Sequence, residues 1–192
     1  QRTALNAGDY DRIKGTALFG KSNQYLSLLW NYAKAYQSTT AASDLGIVLR
    51  GSSDMNEKSK RSSVLACYNT LIKDLRNAPS KAAAYGLLGR AYLSMAKYDS
   101  AYYYADKMLQ INDDLMDFNK PAEVNLTGTN PFLRYNKEIV AYYEQTSNRT
   151  PLIRIAQMDT VLYRSFDADD LRKQAYFKSG VNGYKAFKGN YI

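Results

Sequence analysis

The chain has 192 residues, of which 45% are hydrophobic and 23% charged, so it is long enough to enclose the core of one or two domains. It has no histidine and one cysteine, which excludes a Ser-His-Asp triad, histidine-based zinc sites and an intrachain disulfide. The formal net charge is +8, but the lysines and arginines are dispersed, without the stripe or run that successive phosphates require. We therefore expect no nucleic-acid partner, no metal and no cofactor.

The first half of the chain predicts helices. A first helix is expected over about residues 10–36, with one apolar face formed by Tyr25, Leu28, Leu29, Tyr32, Ala33 and Tyr36. Residues 37–60 are rich in Ser, Thr, Asp and Gly and predict a loop that holds a short apolar island at residues 45–49. A second helix is capped by Ser62 or Ser63, and its predicted inner face comprises Val64, Tyr68, Leu71 and Leu75.

Two more helices follow with a short connection. The third is expected over residues 81–97, with an inner face of Ala84, Leu87, Leu88, Ala91 and Met95. Asp99 is the expected cap of the fourth, whose inner stripe would be Ala101, Tyr104, Ala105, Met108 and Leu109. Together they match the spacing of a tetratricopeptide repeat at Tyr85, Leu88, Gly89, Tyr92, Tyr98 and Ala101. The predicted fold class is mainly α, with antiparallel helix pairs of this type and an irregular, partly extended region.

Helical periodicity fades in the last part of the chain. We expect helical repeats over residues 10–112, including the loop 37–60, and an irregular region over 113–192 that is incomplete at its C-terminus. Within it, residues 138–143 and 152–158 predict extended segments, and residues 159–164 a short helix. The acidic cluster of Asp167, Asp169 and Asp170 is followed by Leu-Arg-Lys in place of the Gly and late Glu of a calcium loop. It therefore favours a helix N-terminus.

One segment matches a nucleotide-binding motif. From Gly15 to Ser22 the letters GTALFGKS satisfy G-x-x-x-x-G-K-[ST], the phosphate-cradling P-loop. A working P-loop follows a buried strand, and residues 6–14 have no strand-like composition. The match is therefore interpreted as a coincidence within a helix, and a P-loop nucleotide-binding protein is kept as the weaker alternative.

The 18 tyrosines allow two interpretations. Most lie on helical stripes and are expected to pack in the core with the hydroxyl at the surface. Tyr142 and Tyr143, with Asn148 and Arg149 nearby, lie in the non-helical part. A flat ring there can stack on a sugar face, while Asn and Arg side chains can hydrogen bond its hydroxyls. A core or surface-filling role for each of these residues is the competing interpretation.

Several weak motifs occur in a recognisable order along the chain. The strongest is residues 80–93, SKAAAYGLLGRAYL, and the others include residues 34–36, 44–49, 61–64, 136–140 and 166–172, with Tyr68, Ile72, Asp74, Leu75, Ala78, Tyr176 and Phe177. In this order the segments resemble the SusD/RagB family of nutrient-binding outer-membrane lipoproteins of the Bacteroidetes. The resemblance covers about residues 13–185, and because family members are several hundred residues long we expect this chain to be an internal piece. In this register the P-loop match falls inside the family's first long repeat helix.

The resemblance implies non-catalytic capture of a glycan or other nutrient. Such proteins bind an oligo- or polysaccharide at the extracellular face of the outer membrane and deliver it to a SusC-like TonB-dependent transporter. Membrane attachment would be only through an N-terminal lipid anchor that this chain lacks. Residues 113–192 would form the ligand side, where Tyr142, Tyr143, Asn148 and Arg149 are the predicted ligand contacts. The alternative is a tetratricopeptide-type adaptor that binds a peptide or protein.

Overall fold

A computed structural model of the chain describes residues 2–54, 56, 58–78, 80–142 and 157–188. The chain divides into two compact units, residues 1–113 and 114–192. The elements of the first are α1 (Ala7–Tyr32), β1 (Leu45–Val48), β2 (Arg61–Ser63), α2 (Val64–Leu75), α3 (Lys81–Ser94) and α4 (Tyr98–Leu109). Those of the second are α5 (Thr160–Ser165), α6 (Leu171–Tyr176), β3 (Phe177–Ser179), a 3-10 turn (Val181–Gly183) and β4 (Lys185–Phe187). The predicted mainly helical class is confirmed.

Helix α1 buries a narrower face than its sequence predicts. Its buried residues, Gly15, Ser22, Leu26 and Leu29, form a single row along the helix. Leu28 and Tyr32 were expected on the inner face, yet their exposed fractions are 41% and 72%. The helix ends at Tyr32, four residues before its predicted end, because the backbone of Ala33 is extended. A wide apolar face therefore predicts that a helix forms. It does not predict how much of that face is covered by neighbouring elements.

The apolar island predicted within a loop is strand β1, which pairs antiparallel with β2. Gly46 and Ile47 are the buried residues of this strand. The Cys67 Sγ, on α2, accepts a hydrogen bond from the Ile47 amide at 3.4 Å and lies 3.6 Å from the Ile47 carbonyl oxygen. Cys67 is fully buried, as predicted for a small core residue, and burial raises the pKa of its thiol. The strand pair is thus tied to the helical core.

Helices α2 and α3 agree closely with their sequence patterns. The Ser63 hydroxyl caps α2 by accepting a hydrogen bond from the Ala66 amide at 3.2 Å, and the Ser80 hydroxyl caps α3 through the Ala83 amide at 3.4 Å. All nine predicted inner residues are buried: Val64, Tyr68, Leu71, Leu75, Ala84, Leu87, Leu88, Ala91 and Met95. All of these side chains except Ala84 belong to the main hydrophobic core, which also contains Leu26 and Leu29 of α1.

Helix α4 packs antiparallel on α3 but is less buried than predicted. It begins at Tyr98, so Asp99 lies in its first turn and is not its cap. Of its predicted inner stripe only Ala101 is buried, and the exposed fraction of Leu109 is 54%. At Gly89 the two helices are in contact: a Cβ added there would lie 3.5 Å from the Ala101 carbonyl oxygen and the Ala105 amide nitrogen, an ordinary van der Waals distance.

The second unit has a smaller core of Val124, Phe132 and Ala175. The short helix predicted near 159–164 is confirmed as α5, where the Asp159 carboxylate accepts a hydrogen bond from the Val161 amide at 2.9 Å. The acidic cluster precedes α6, which Asp170 caps, as the helix interpretation predicted. No strand forms over residues 138–142, which are turn, bend and irregular backbone, and residue 143 of the extended segment predicted at 138–143 lies outside the described residues. Of the segment 152–158, residues 152–156 lie outside the described residues.

Replacement of Gly46 by alanine tests the contact between β1 and α2. A Cβ at this position would lie 2.7 Å from the Cys67 Sγ and 3.1 Å from two backbone carbonyl oxygens, so the strand must move. We expect Gly46→Ala to lower the free energy of unfolding by about 1–3 kcal/mol in urea denaturation. The control is Gly8→Ala, whose added methyl group meets nothing within 4 Å. Equal stability of the two variants would contradict the close approach.

Candidate functional site

The candidate site in the second unit is an exposed group of three side chains, Arg134, Tyr135 and Tyr142, called here the aromatic platform. The ring centroids of Tyr135 and Tyr142 are 5.3 Å apart, with the rings edge to face. The Arg134 guanidinium lies 5.8 Å from the centroid of Tyr142. Tyr135 is 76% exposed, while Tyr142 is half-buried. One ring therefore supports the other and leaves an aromatic surface open to a ligand.

The platform is connected to the small core by Phe132, two residues before Arg134. Phe132 is buried and forms an isolated antiparallel bridge with Val124. The Asn125 amide donates to the Pro131 carbonyl at 2.9 Å, which closes the connecting loop. The ammonium group of Lys188, a buried residue, donates to the Leu126 carbonyl at 2.6 Å. These contacts fix the backbone of the loop between Val124 and Phe132, which leads into the platform.

The turn that carries Tyr135 is fixed by the residues that follow it. The Asn136 side-chain amide donates to the Leu133 carbonyl at 2.9 Å, and its Oδ1 accepts from the Glu138 amide at 3.1 Å. The Glu138 carboxylate accepts a hydrogen bond from the Met116 amide at 2.6 Å. These bonds hold both ends of the turn, so a ligand meets a surface that is already ordered.

An ion pair next to the turn adds a fixed charge pattern. The Lys137 ammonium and the Glu123 carboxylate are 2.8 Å apart. The hydrogen bond from Lys137, and then that from the Asp117 amide, lowers the pKa of Glu123, while the bond to Glu123 raises the pKa of Lys137. Both side chains therefore remain charged from well below to well above neutral pH.

This arrangement is better suited to binding a saccharide than to catalysing a reaction. An exposed aromatic face offers a stacking surface for the C–H groups of a sugar ring, and a guanidinium offers several donors to hydroxyl oxygens. Tyr142 was predicted from the sequence as a ligand contact, whereas its neighbours Arg134 and Tyr135 were not. Arg134 and Tyr135 directly precede Asn136, a residue type that favours turns, and this position could have indicated them in the sequence.

The other predicted ligand residues, Tyr143, Asn148 and Arg149, lie outside the described residues and stay predictions. Among the residues that the structure describes, no group of three or more Cys, Asp or Glu side chains could hold a metal ion. No helix in the same part of the chain is long and apolar enough to cross a membrane.

The P-loop alternative is wrong. Residues 15–22 lie in the middle of α1, whereas a P-loop must bend between a strand and a helix to surround a phosphate. Gly15 and Ser22 are buried against the helical core. Lys21, which would contact the phosphates, instead forms a salt bridge of 2.6 Å with Asp74 on α2.

The first unit has an apolar groove on the outer side of α3 and α4. Its volume is about 520 Å³. Small residues, Gly86, Gly89 and Ala101, form part of its lining, and the rims are exposed apolar side chains such as Leu93 and Tyr102. Grooves of this kind accept peptide or helix side chains in other helical repeat proteins.

Comparisons with known proteins agree with the resemblance. Residues 1–93 match a SusD-like family described as starch-binding and associating with the outer membrane. No curated protein sequence matches the chain. Among solved structures, a SusD superfamily protein from Bacteroides thetaiotaomicron is similar, with 23% identity, a TM-score of 0.66, and 91% of this chain and 45% of that chain covered. A SusD-like carbohydrate binding protein from Bacteroides vulgatus has 21% identity, a TM-score of 0.70, and coverage of 97% and 46%.

The chain therefore spans less than half the length of either structure that it matches. Both identities are low, so these two structures establish the fold alone, while the family match is to the sequence of residues 1–93. Helix α1, the β1–β2 pair, α2 and nearly all of α3 lie within the matched residues. Residues 1–93 are therefore similar in sequence to a SusD-like family, and the fold of nearly the whole chain is similar to that of these two solved structures.

Proposed function

We propose that this chain belongs to a cell-surface protein that binds saccharides without altering them and passes them to a SusC-like TonB-dependent transporter. The observation that carries the proposal is the aromatic platform, a tyrosine pair with an adjacent guanidinium that neighbouring hydrogen bonds hold in place. The starch-binding description of the matched family supports a saccharide ligand. The full-length protein would be lipid-anchored at the extracellular face of the outer membrane.

A binding role without catalysis fits the residues at the platform. Its aromatic and guanidinium groups can hold a sugar, and among the described residues neither is placed with a second group as a general acid and base pair. Two described carboxylates beside the turn are both occupied: Glu123 pairs with Lys137, and Glu138 accepts the Met116 amide. Tyr142, Tyr143, Asn148 and Arg149 stay the proposed ligand contacts, to which Arg134 and Tyr135 are now added.

Truncation of Tyr135 tests the platform. We expect Tyr135→Ala to weaken binding of maltoheptaose, a starch oligosaccharide, about tenfold in isothermal titration calorimetry, because the stacking surface is lost. Tyr135→Phe keeps the ring and should retain most of the affinity. The matched control is Tyr98→Ala, which removes a ring of similar exposure, 68%, from the first unit.

Two outcomes would contradict the platform as the site. One is unchanged binding in Tyr135→Ala, and the other is an equal loss in Tyr98→Ala. A wild-type chain that binds nothing across a panel of neutral and acidic polysaccharides would favour the tetratricopeptide-type adaptor. The apolar groove of α3 and α4 is the observation that favours this second candidate.

The dependence of binding on pH tests the electrostatics beside the platform. The Glu123 pKa lies below its ordinary 4.5 and the Lys137 pKa above its ordinary 10.5. The stabilisation from Glu123 is complete above pH 4.5 and is lost as pH falls through its lowered pKa, and that from Lys137 is lost only as pH rises through its raised pKa. We therefore expect a flat affinity for maltoheptaose between about pH 5 and 10, and a decrease at lower pH that Glu123→Gln abolishes. A transition near pH 6.5 would contradict this assignment.

Delivery to a transporter is tested by co-purification. The full-length protein, expressed together with a SusC-like TonB-dependent transporter from the same organism, should purify as a complex from detergent-solubilised outer membranes. Recovery of the lipoprotein alone, at expression levels where both proteins are present, would contradict the partner assignment. Saccharide binding would be unaffected by that result.

A further inference from the structure

A second cleft, called here the basic cleft, lies in the first unit between the end of α2 and the α3–α4 turn. Its volume is about 500 Å³, which is within the usual range of small-molecule sites. Three cationic side chains line it: Lys73, Arg76 and Lys97. None of the described residues in the lining carries a carboxylate. A neutral ligand would leave the repulsion among the three positive charges of the cleft uncompensated, so an anionic ligand is favoured.

Arg76 contributes an exposed guanidinium to the lining of the cleft. Its interactions with the Tyr104 hydroxyl, and then with the nearby Tyr92, raise the pKa of this group, so it stays charged. The two tyrosine rings stack in parallel, with centroids 5.4 Å apart and 3° between their planes. The planar donors of a guanidinium match the two oxygens of a carboxylate.

The acid closest in sequence to Lys73 and Arg76 already has a partner outside the cleft lining. The Asp74 carboxylate, between Lys73 and Arg76 in sequence, forms a salt bridge with Lys21 of α1 at 2.6 Å. Lys97 follows Ala96, whose left-handed backbone (φ 55°) ends α3, and the Lys97 amide donates to the Tyr92 carbonyl at 3.0 Å. Cations near helix C-termini also stabilise the helix dipole. Stabilisation of the helix dipole would explain these cations without any ligand. Calorimetry on the variants distinguishes this structural role from ligand binding.

The rest of the lining offers more than charge. Asn69 and Asn77 contribute side-chain amides, and the Asn77 amide is oriented by a bond of 2.9 Å to the Lys73 carbonyl. Ile72 and Met95, both buried, provide an apolar floor. A small inorganic anion would use only the cations. A sugar ring that carries a carboxylate would use the cations, the amides for its hydroxyl groups and the floor for its C–H groups.

We propose that the basic cleft binds a uronic acid residue of an acidic polysaccharide. The sugar carboxylate pairs with Arg76 and Lys97, and Asn69 and Asn77 hydrogen bond the ring hydroxyls. The proposal rests on the saccharide-binding function stated above, which it narrows to include acidic glycans, but it concerns a different unit from the aromatic platform. The two sites are therefore separable by mutation.

Calorimetry with trigalacturonic acid tests the proposal on the full chain, at about 0.15 M salt so that long-range attraction is screened. We expect binding that neutral galactotriose does not match. Arg76→Gln and Lys97→Gln should each weaken it about tenfold, because each removes a charge-assisted contact. Lys81→Gln is the control, since it removes the same charge from an exposed residue at the start of α3, outside the cleft lining.

Lys97→Gln keeps the test valid if Arg76→Gln disturbs the tyrosine pair, because Lys97 is an exposed turn residue. In a Tyr135→Ala background, Lys97→Gln should cause the same loss, about tenfold, of trigalacturonic acid binding, which distinguishes failure of this site from failure of the platform. Four outcomes would overturn the proposal: no binding, equal binding of galactotriose, an equal loss in Lys81→Gln, or displacement by inorganic phosphate at the same concentration. The last would identify a simple anion site.

Discussion

One side chain, Arg61, connects the parts of the first unit that are distant in sequence. Its guanidinium donates to the Tyr32 carbonyl at the end of α1 at 2.9 Å, and to the Leu45 and Gly46 carbonyls of β1 at 3.0 and 2.6 Å. Its own backbone begins β2, which leads directly into α2. These carbonyls would otherwise need other partners, since a helix end and a strand edge leave acceptors unpaired. The register of β1, and with it the contact between Ile47 and Cys67, depends on this arrangement.

Features that are determined by local interactions were predicted from the sequence. Helices α2 and α3 have a serine cap at the start and a continuous inner face, and both were predicted with their buried residues. The burial of α1 was not predictable in detail, because its neighbour covers only the row of Gly15, Ser22, Leu26 and Leu29. The β1–β2 pair was missed for a related reason. It joins short segments across a polar loop, and its register comes from Arg61, Gly46 and Cys67 rather than from alternation along either strand.

The candidate sites show the same division between local and tertiary information. For the tyrosines of the non-helical part, Tyr142 among them, composition left two interpretations open, ligand contact and a core or surface-filling role. The exposure of Tyr135 could not be inferred, because it follows from a turn that Asn136 and Glu138 fix through contacts with Leu133 and Met116. The basic cleft was likewise invisible in a dispersed charge pattern. Lys73, Arg76 and Lys97 line one cleft only because the end of α2 lies beside the end of α3.

The buried cysteine has a consequence for where such a chain can work. A surface thiol outside the cell is exposed to oxidants and to other thiols, and it reacts through its thiolate form. Cys67 has no solvent access, and burial raises its pKa, so the reactive form is scarce and out of reach. The chain can therefore keep its one thiol reduced in an oxidising compartment without a partner cysteine or a reductase. Its redox stability follows from the packing of β1 against α2 and needs no covalent bond.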